Sequence, residues 1–181
     1  WGNPLVLQVS RWDPLKDPSG VMRGFAELLG GPNHAGAELV LAGPSTEGVA
    51  DDPEGASVLE GVIRDWQDLP ESVRKRIHLA SLPTDDVAEN GAIVNALQRH
   101  ATVVVQKSLH EGFGLTVTEA MWKGRPVVAS AVGGIQDQIE DGVSGVLLED
   151  PRDSSAFARA LAGVLNDPQR ARRLGEAGRE R

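Results

Sequence analysis

Six short apolar runs decide what this chain can fold into. They read PLVLQVS (4–10), AELVLAG (37–43), IHLASLP (77–83), ATVVVQKS (101–108), RPVVASAVGG (125–134) and SGVLLED (144–150). Each is rich in Val, Leu and Ile and is continuously apolar rather than alternating. That pattern belongs to strands buried on both faces of a parallel sheet. Between the runs lie stretches with helical spacing: 19–29, 53–66 with Pro53 in its first turn, 91–100 and 114–124, then two more helical segments from Ser154. Strand and helix in repeated succession give an α/β fold with a doubly wound parallel sheet of about six strands. The 181 residues suit one domain with a sizeable core. In such sheets ligands bind at the carboxyl ends of the strands, so the chemistry is sought in the loops there.

Composition removes several classes of function. The net charge of −8 argues against a nucleic-acid or anionic-membrane binder. With no cysteine there is no disulfide framework, thiolate metal site or thiol nucleophile, and the compartment leans to the cytoplasm. No run approaches the length of a membrane span, and no signal-peptide pattern opens the chain. The histidines at 34, 78, 100 and 110 lack metal-ligand spacing; His110, beside Glu111, reads as a surface residue. There is no P-loop, no G-x-S-x-G elbow and no G-x-G-x-x-G after the first strand. Trp12 and Trp122 are expected to pack, and the tail RARRLGEAGRER to present a solvated helix face. The segment 43–55 is the candidate flexible loop. The chain starts at Trp1 and stops within a helical pattern, so it is expected to be a piece of a longer protein.

Three loops at strand ends carry candidate binding groups. After the first strand, Arg11 and Lys16 either neutralise a diphosphate or pair with Asp13 and Asp17. After the fourth, the stretch HEGFGLTVTEAMWKG holds Gly112 and Gly114 in a tight turn. A helix starts near Leu115, where free amides and the helix dipole favour an anion. Thr116 and Thr118 add hydroxyls. Glu111 precedes the turn, and Glu119 lies about 5 Å along the helix. Carboxylates set on either side of a phosphate can accept hydrogen bonds from flanking hydroxyls, which describes a ligand ordered sugar, phosphate, sugar. After the fifth strand, Gly133 and Gly134 permit close backbone approach or simply mark a turn.

Together these loops resemble the carboxyl-terminal, donor-binding domain of retaining glycosyltransferases of family 4, whose GT-B fold pairs two Rossmann-like domains. The resemblance runs from about Leu5 to Glu180. Its most specific part is Glu-x7-Glu, here Glu111 to Glu119 in EGFGLTVTEAMWKGRPVVAS, with support from the Arg11/Lys16 loop and GGIQDQIEDGVSGVLL. It implies that Glu119 holds the ribose hydroxyls and Glu111 the transferred sugar. It places the backbone of Gly112, Phe113, Gly114, Leu115 and Thr116 near sugar and phosphate. Arg11 and Lys16 match the residues that hold the diphosphate, and the base is expected near Leu82 and Pro83. VSRWDPLKDP and VNALQRHATVVVQKS are most similar to trehalose glycosyltransferring synthases and trehalose phosphorylases. Ser10 and Lys107-Ser108 stand where the common family pattern has Gly and Pro-Ser, departures that fit this subgroup.

The resemblance implies a nucleoside diphosphate sugar as substrate, with glucose passed to a glucose acceptor to give trehalose, and no cofactor and no metal; no Asp-x-Asp is present. It also implies an amino-terminal partner domain, attack on the same face as departure, and residues 1–181 as the donor half, binding nucleotide weakly and transferring nothing alone. A homodimer, the direction of reaction and the base stay open. So do other readings: a trehalose phosphorylase, another hexosyltransferase of family 4, a non-hydrolysing sugar-nucleotide epimerase type, and a non-catalytic assembly domain.

Overall fold

The computed structural model describes residues 2–32, 36–46 and 53–181. Its centre is a parallel sheet of β1 (Leu5–Val9), β2 (Glu38–Pro44), β3 (Ile77–Leu82), β4 (Val103–Gln106), β5 (Val127–Ser130) and β6 (Val146–Leu148). The order is β3-β2-β1-β4-β5-β6, and every pairing is parallel. Each run expected to form a strand contains one, trimmed at the ends except that β2 runs on to Pro44. The run 125–134 yields β5 only to Ser130, because 131–134 turn into a short helix.

The helices are α1 (Pro18–Gly30), α2 (Pro53–Gln67), α3 (Glu71–Arg74), α4 (Val87–His100), α5 (Leu115–Trp122), α6 (Ile135–Gln138), α7 (Ser154–Leu165) and α8 (Pro168–Glu180). They cover both sheet faces, which is why the strands carry no polar alternation. On one face Val6, Val103, Val105 and Val128 pack with Phe25 of α1 and Phe157 and Leu161 of α7. On the other, Leu5, Leu7, Val104 and Val127 pack with Val117 and Ala120 of α5 and Leu97 of α4. Burying each large side chain contributes about 1.5–3 kcal/mol. Gly24 matters here: a Cβ on it would stand 2.4 Å from the Phe157 ring, so glycine lets α1 and α7 close over the core.

The carboxyl-terminal tail presents a solvated helix face through Arg172, Arg173, Glu176 and Arg179, while its other face, with Ala171, Leu174, Gly175 and Gly178 of α8, is buried. A Cβ on Gly175 would meet Gly124 O at 2.2 Å, so α8 is pressed onto the end of α5. Trp12 packs as expected, buried over Gly43 with its indole N–H donating to Pro44 O at 2.8 Å, whereas Trp122 is 75% exposed. Half of the 43–55 loop, residues 47–52, and His34 lie outside the described residues. Among the described residues no helix is long and apolar enough to cross a membrane.

The strand order sets the place of the site. From β1 the chain winds outward to β2 and β3; it then returns to β4 and winds the other way to β5 and β6. The reversal falls between β1 and β4, and the loops leaving their carboxyl ends diverge there to leave a crevice.

Candidate donor site

The loop after β1 folds into a 3-10 turn, Pro14–Lys16. Asp13 caps it by accepting from Leu15 N at 2.8 Å. Its far end is fixed by Gln8, whose amide donates to Lys16 O at 2.9 Å, and by Leu109 N, which donates to Leu15 O at 2.8 Å. This turn aims Lys16 across the crevice. Its Nζ lies 2.5 Å from Glu111 Oε2, joining residues 95 apart in sequence. Lys16 therefore pairs with Glu111, not with Asp17. Arg11 does pair with its neighbour, at 3.2 Å from Asp13, and its side chain is 73% exposed.

Glu111 is held by one oxygen. Oε2 also accepts from Gln106 Nε2 at 3.3 Å and Ser108 Oγ at 3.2 Å. All of these bonds fall on Oε2. Glu119 repeats the device: its Oε2 accepts from Gln98 Nε2 at 3.0 Å, and Gln98 Oε1 accepts from Lys123 Nζ at 2.6 Å. Gln98 is fully buried, which fixes the Glu119 side chain from below.

Between the two glutamates the backbone bends sharply. Gly114 sits at φ 88°, ψ 55°, a left-handed conformation that glycine adopts without steric cost. No side chain caps α5; Val117 N and Thr118 N donate to Gly114 O, which leaves the Leu115 and Thr116 amides available to an anion. Thr116 Oγ1 donates to Val9 O at 3.3 Å, tying α5 to the end of β1. Phe113 and Leu115 are exposed, while Gly112 has nothing within 4 Å of where a Cβ would be.

Gly133 and Gly134 do approach a backbone closely, but it is the bend's own. Gly133 has φ 53°, and a Cβ there would meet Glu111 O at 1.7 Å; Gly134 N donates to Gly112 O at 2.8 Å. Gln138 completes the brace, donating to Phe113 O at 2.5 Å and accepting from Thr118 Oγ1 at 2.7 Å. The third loop thus shapes the bend from behind.

A hollow of about 430 Å³ opens beside the bend. Arg11, Leu82, Asn90, Thr116 and Glu119 are among its lining residues. Pro83 does not line it, although its neighbours Leu82 and Thr84 do; Pro83 O accepts from Asn90 Nδ2 at 2.7 Å, which sets this rim. Lys16 and Glu111 stand outside the hollow, at the β1–β4 crevice. The chain therefore offers a half-apolar chamber with one carboxylate, a helix amide terminus next to it, and a cation–carboxylate pair beyond.

Sequence reasoning missed the residues behind this arrangement. Lys107 is 1% exposed and lies 2.5 Å from Asp17. Gln8, Gln98, Gln106 and Ser108 are likewise buried polar side chains. One available signal was period two in β4: Lys107 follows Val103 and Val105, which both face the α1–α7 layer.

Comparison with known proteins bears on this geometry. Residues 85–181 match the family described as glycosyl transferases group 1. The chain is 43% identical over 181 residues to a trehalose synthase of Rubrobacter xylanophilus, covering 98% of this chain and 38% of that protein. It is 32% identical to the sucrose-phosphate synthase of Thermosynechococcus elongatus, with a TM-score of 0.76 over 99% of this chain and 40% of that one. HepE of Anabaena, solved in complex with UDP-glucose, shares the fold at a TM-score of 0.77 and 22% identity, over 99% of this chain and 43% of that one. The chain thus spans about two fifths of the length of the relatives it matches.

Proposed function

This chain belongs to the group 1 glycosyl transferases, and from that premise we propose that it is the donor-binding half of a retaining enzyme that uses a nucleoside diphosphate sugar. The observation that carries the reading is the order of groups along the crevice. Glu119 stands in the apolar chamber, the uncapped α5 terminus beside it, and the Lys16–Glu111 pair beyond. A nucleoside, a diphosphate and a sugar have the same order of chemistry. Leu82 and the rim held by Asn90 take the base, Glu119 Oε1 the ribose hydroxyls, and Glu111 Oε1 a hydroxyl of the transferred sugar.

In the reaction the anomeric C–O bond breaks and its electron pair leaves with the diphosphate. Arg11, Lys16 and the amides of Leu115 and Thr116 stabilise that charge, each preorganised donor being worth about 3–4 kcal/mol. An acceptor hydroxyl forms the new C–O bond on the same face and gives its proton to the departing diphosphate. Glu111 positions the sugar without bonding to it, and protein donors carry the charge without a metal. The trehalose synthases among its relatives favour glucose as donor sugar and glucose as acceptor.

Calorimetry with UDP, ADP and GDP tests the reading on this chain. At least one is expected to bind. Loss of a hydrogen-bonded charge in Glu119→Ala should weaken it by about 10- to 100-fold, and Arg11→Ala, on the open side, by about tenfold or less. Binding of none of the three would overturn the donor-site reading and favour an assembly domain.

A further inference from the structure

The two segments that meet at the crevice are joined by a second ion pair of opposite polarity. Lys16 of the first segment reaches Glu111 of the second; Lys107 of the second reaches Asp17 of the first, at 2.5 Å in both cases. The pairs differ in setting. Lys16 and Glu111 retain 17% and 11% side-chain exposure, whereas Lys107 retains 1%. A buried ammonium needs a compelling partner, and Asp17 is built to be one. It adopts φ 48°, ψ 50°, a conformation unfavourable for a residue with a side chain. Its Oδ1 accepts from Gly20 N at 3.0 Å, which caps α1, while Oδ2 faces Lys107. Gly20 is required for this, since a Cβ there would lie 1.9 Å from Asp17 Oδ2.

Resting on the donor-site reading, we infer that Lys107 and Asp17 form a permanent strut that positions Lys16 for the diphosphate when its own pair with Glu111 opens. Lys16 and Glu111 are bonded to each other in this structure, yet each has a separate task on a bound donor. When a ligand takes both, the side-chain link between the two segments is lost at the surface, and the Leu109 N to Leu15 O bond and the buried pair remain. The buried pair one residue further along keeps the Pro14–Lys16 turn against the end of β4. Lys107 also lies between Gln106 and Ser108, the two residues that hold Glu111, so one strut keeps both sides of the donor grip in register.

The test compares diphosphate with monophosphate binding. Lys107→Met alone leaves the half-buried Asp17 with only Gly20 N and the exposed Arg23, 3.8 Å away, and should lower the melting temperature. The double variant Lys107→Met, Asp17→Asn removes both charges, keeps a capping side chain that tolerates the left-handed conformation, and should recover most of the melting temperature. Calorimetry with UDP, ADP and GDP and with the matching monophosphates then reads position. In the double variant the preferred diphosphate should bind about tenfold to a hundredfold more weakly, while the monophosphate, held through Glu119, changes by less than about threefold. Lys107→Arg should restore most of the difference. A double variant that regains wild-type affinity for the diphosphate together with its stability would overturn the strut alone. A wild-type chain that binds no diphosphate would overturn both the strut and the donor-site reading.

Discussion

Lys16→Ala, introduced into the complete transferase, is expected to lower kcat by about 100- to 1,000-fold, the usual cost of removing one preorganised donor from a developing oxyanion. The side chain is the only part lost. The turn that carries it is held by backbone atoms, through Gln8 to Lys16 O and Leu109 N to Leu15 O, so alanine leaves the loop in place. Glu111 keeps Gln106 and Ser108 as donors, which limits any change in its orientation. Lys16→Arg should recover part of the rate, because it restores charge with a different reach. Steady-state kinetics with a nucleoside diphosphate glucose decides the matter: a loss below about threefold would remove Lys16 from the leaving-group site.

Gly133→Ala should produce the largest loss of stability reachable by a single methyl group near the site. At φ 53° any side chain costs about 1–2 kcal/mol, and the added Cβ would stand 1.7 Å from Glu111 O, so the bend or the third loop must move. A total of about 3 kcal/mol corresponds to a melting temperature lowered by about 10 °C in a chain of this size. Gly112→Ala is the natural contrast. Nothing lies within 4 Å of its added methyl, so the melting temperature should stay within about 1 °C of wild type. Thermal denaturation of the two variants side by side gives the comparison. Equal melting temperatures would mean that Gly133 does not brace the bend.

The sheet was legible because its signal is local. Continuous valine and leucine runs of strand length fit strands covered on both faces, and the helices between them leave a parallel winding as the consistent solution. Glu111, Glu119 and the bend were legible for the same reason: the Gly-x-Gly turn, the helix start and the two carboxylates lie within nine residues. What escaped was long-range. Nothing near Lys107 announces Asp17, ninety residues earlier, as its partner. Lys16 and Arg11 looked alike from their shared loop, yet the 3-10 turn sends one to Glu111 and leaves the other with Asp13. Gln98 read as an ordinary helix residue, although it is buried under Glu119. Trp122 was misjudged because a large aromatic ring suggests packing, while α5 is only eight residues long and turns that position to solvent.

The most direct measurement is a crystal of this chain soaked with a nucleoside diphosphate glucose. Expected is a diphosphate within hydrogen-bond distance of the Leu115 and Thr116 amides, with Arg11 or Lys16 turned onto it. The ribose should sit on Glu119 and the glucose on Glu111. A nucleotide seated elsewhere, with the Lys16–Glu111 pair intact and the α5 terminus unoccupied, would contradict the assignment of the β1–β4 crevice as the donor site.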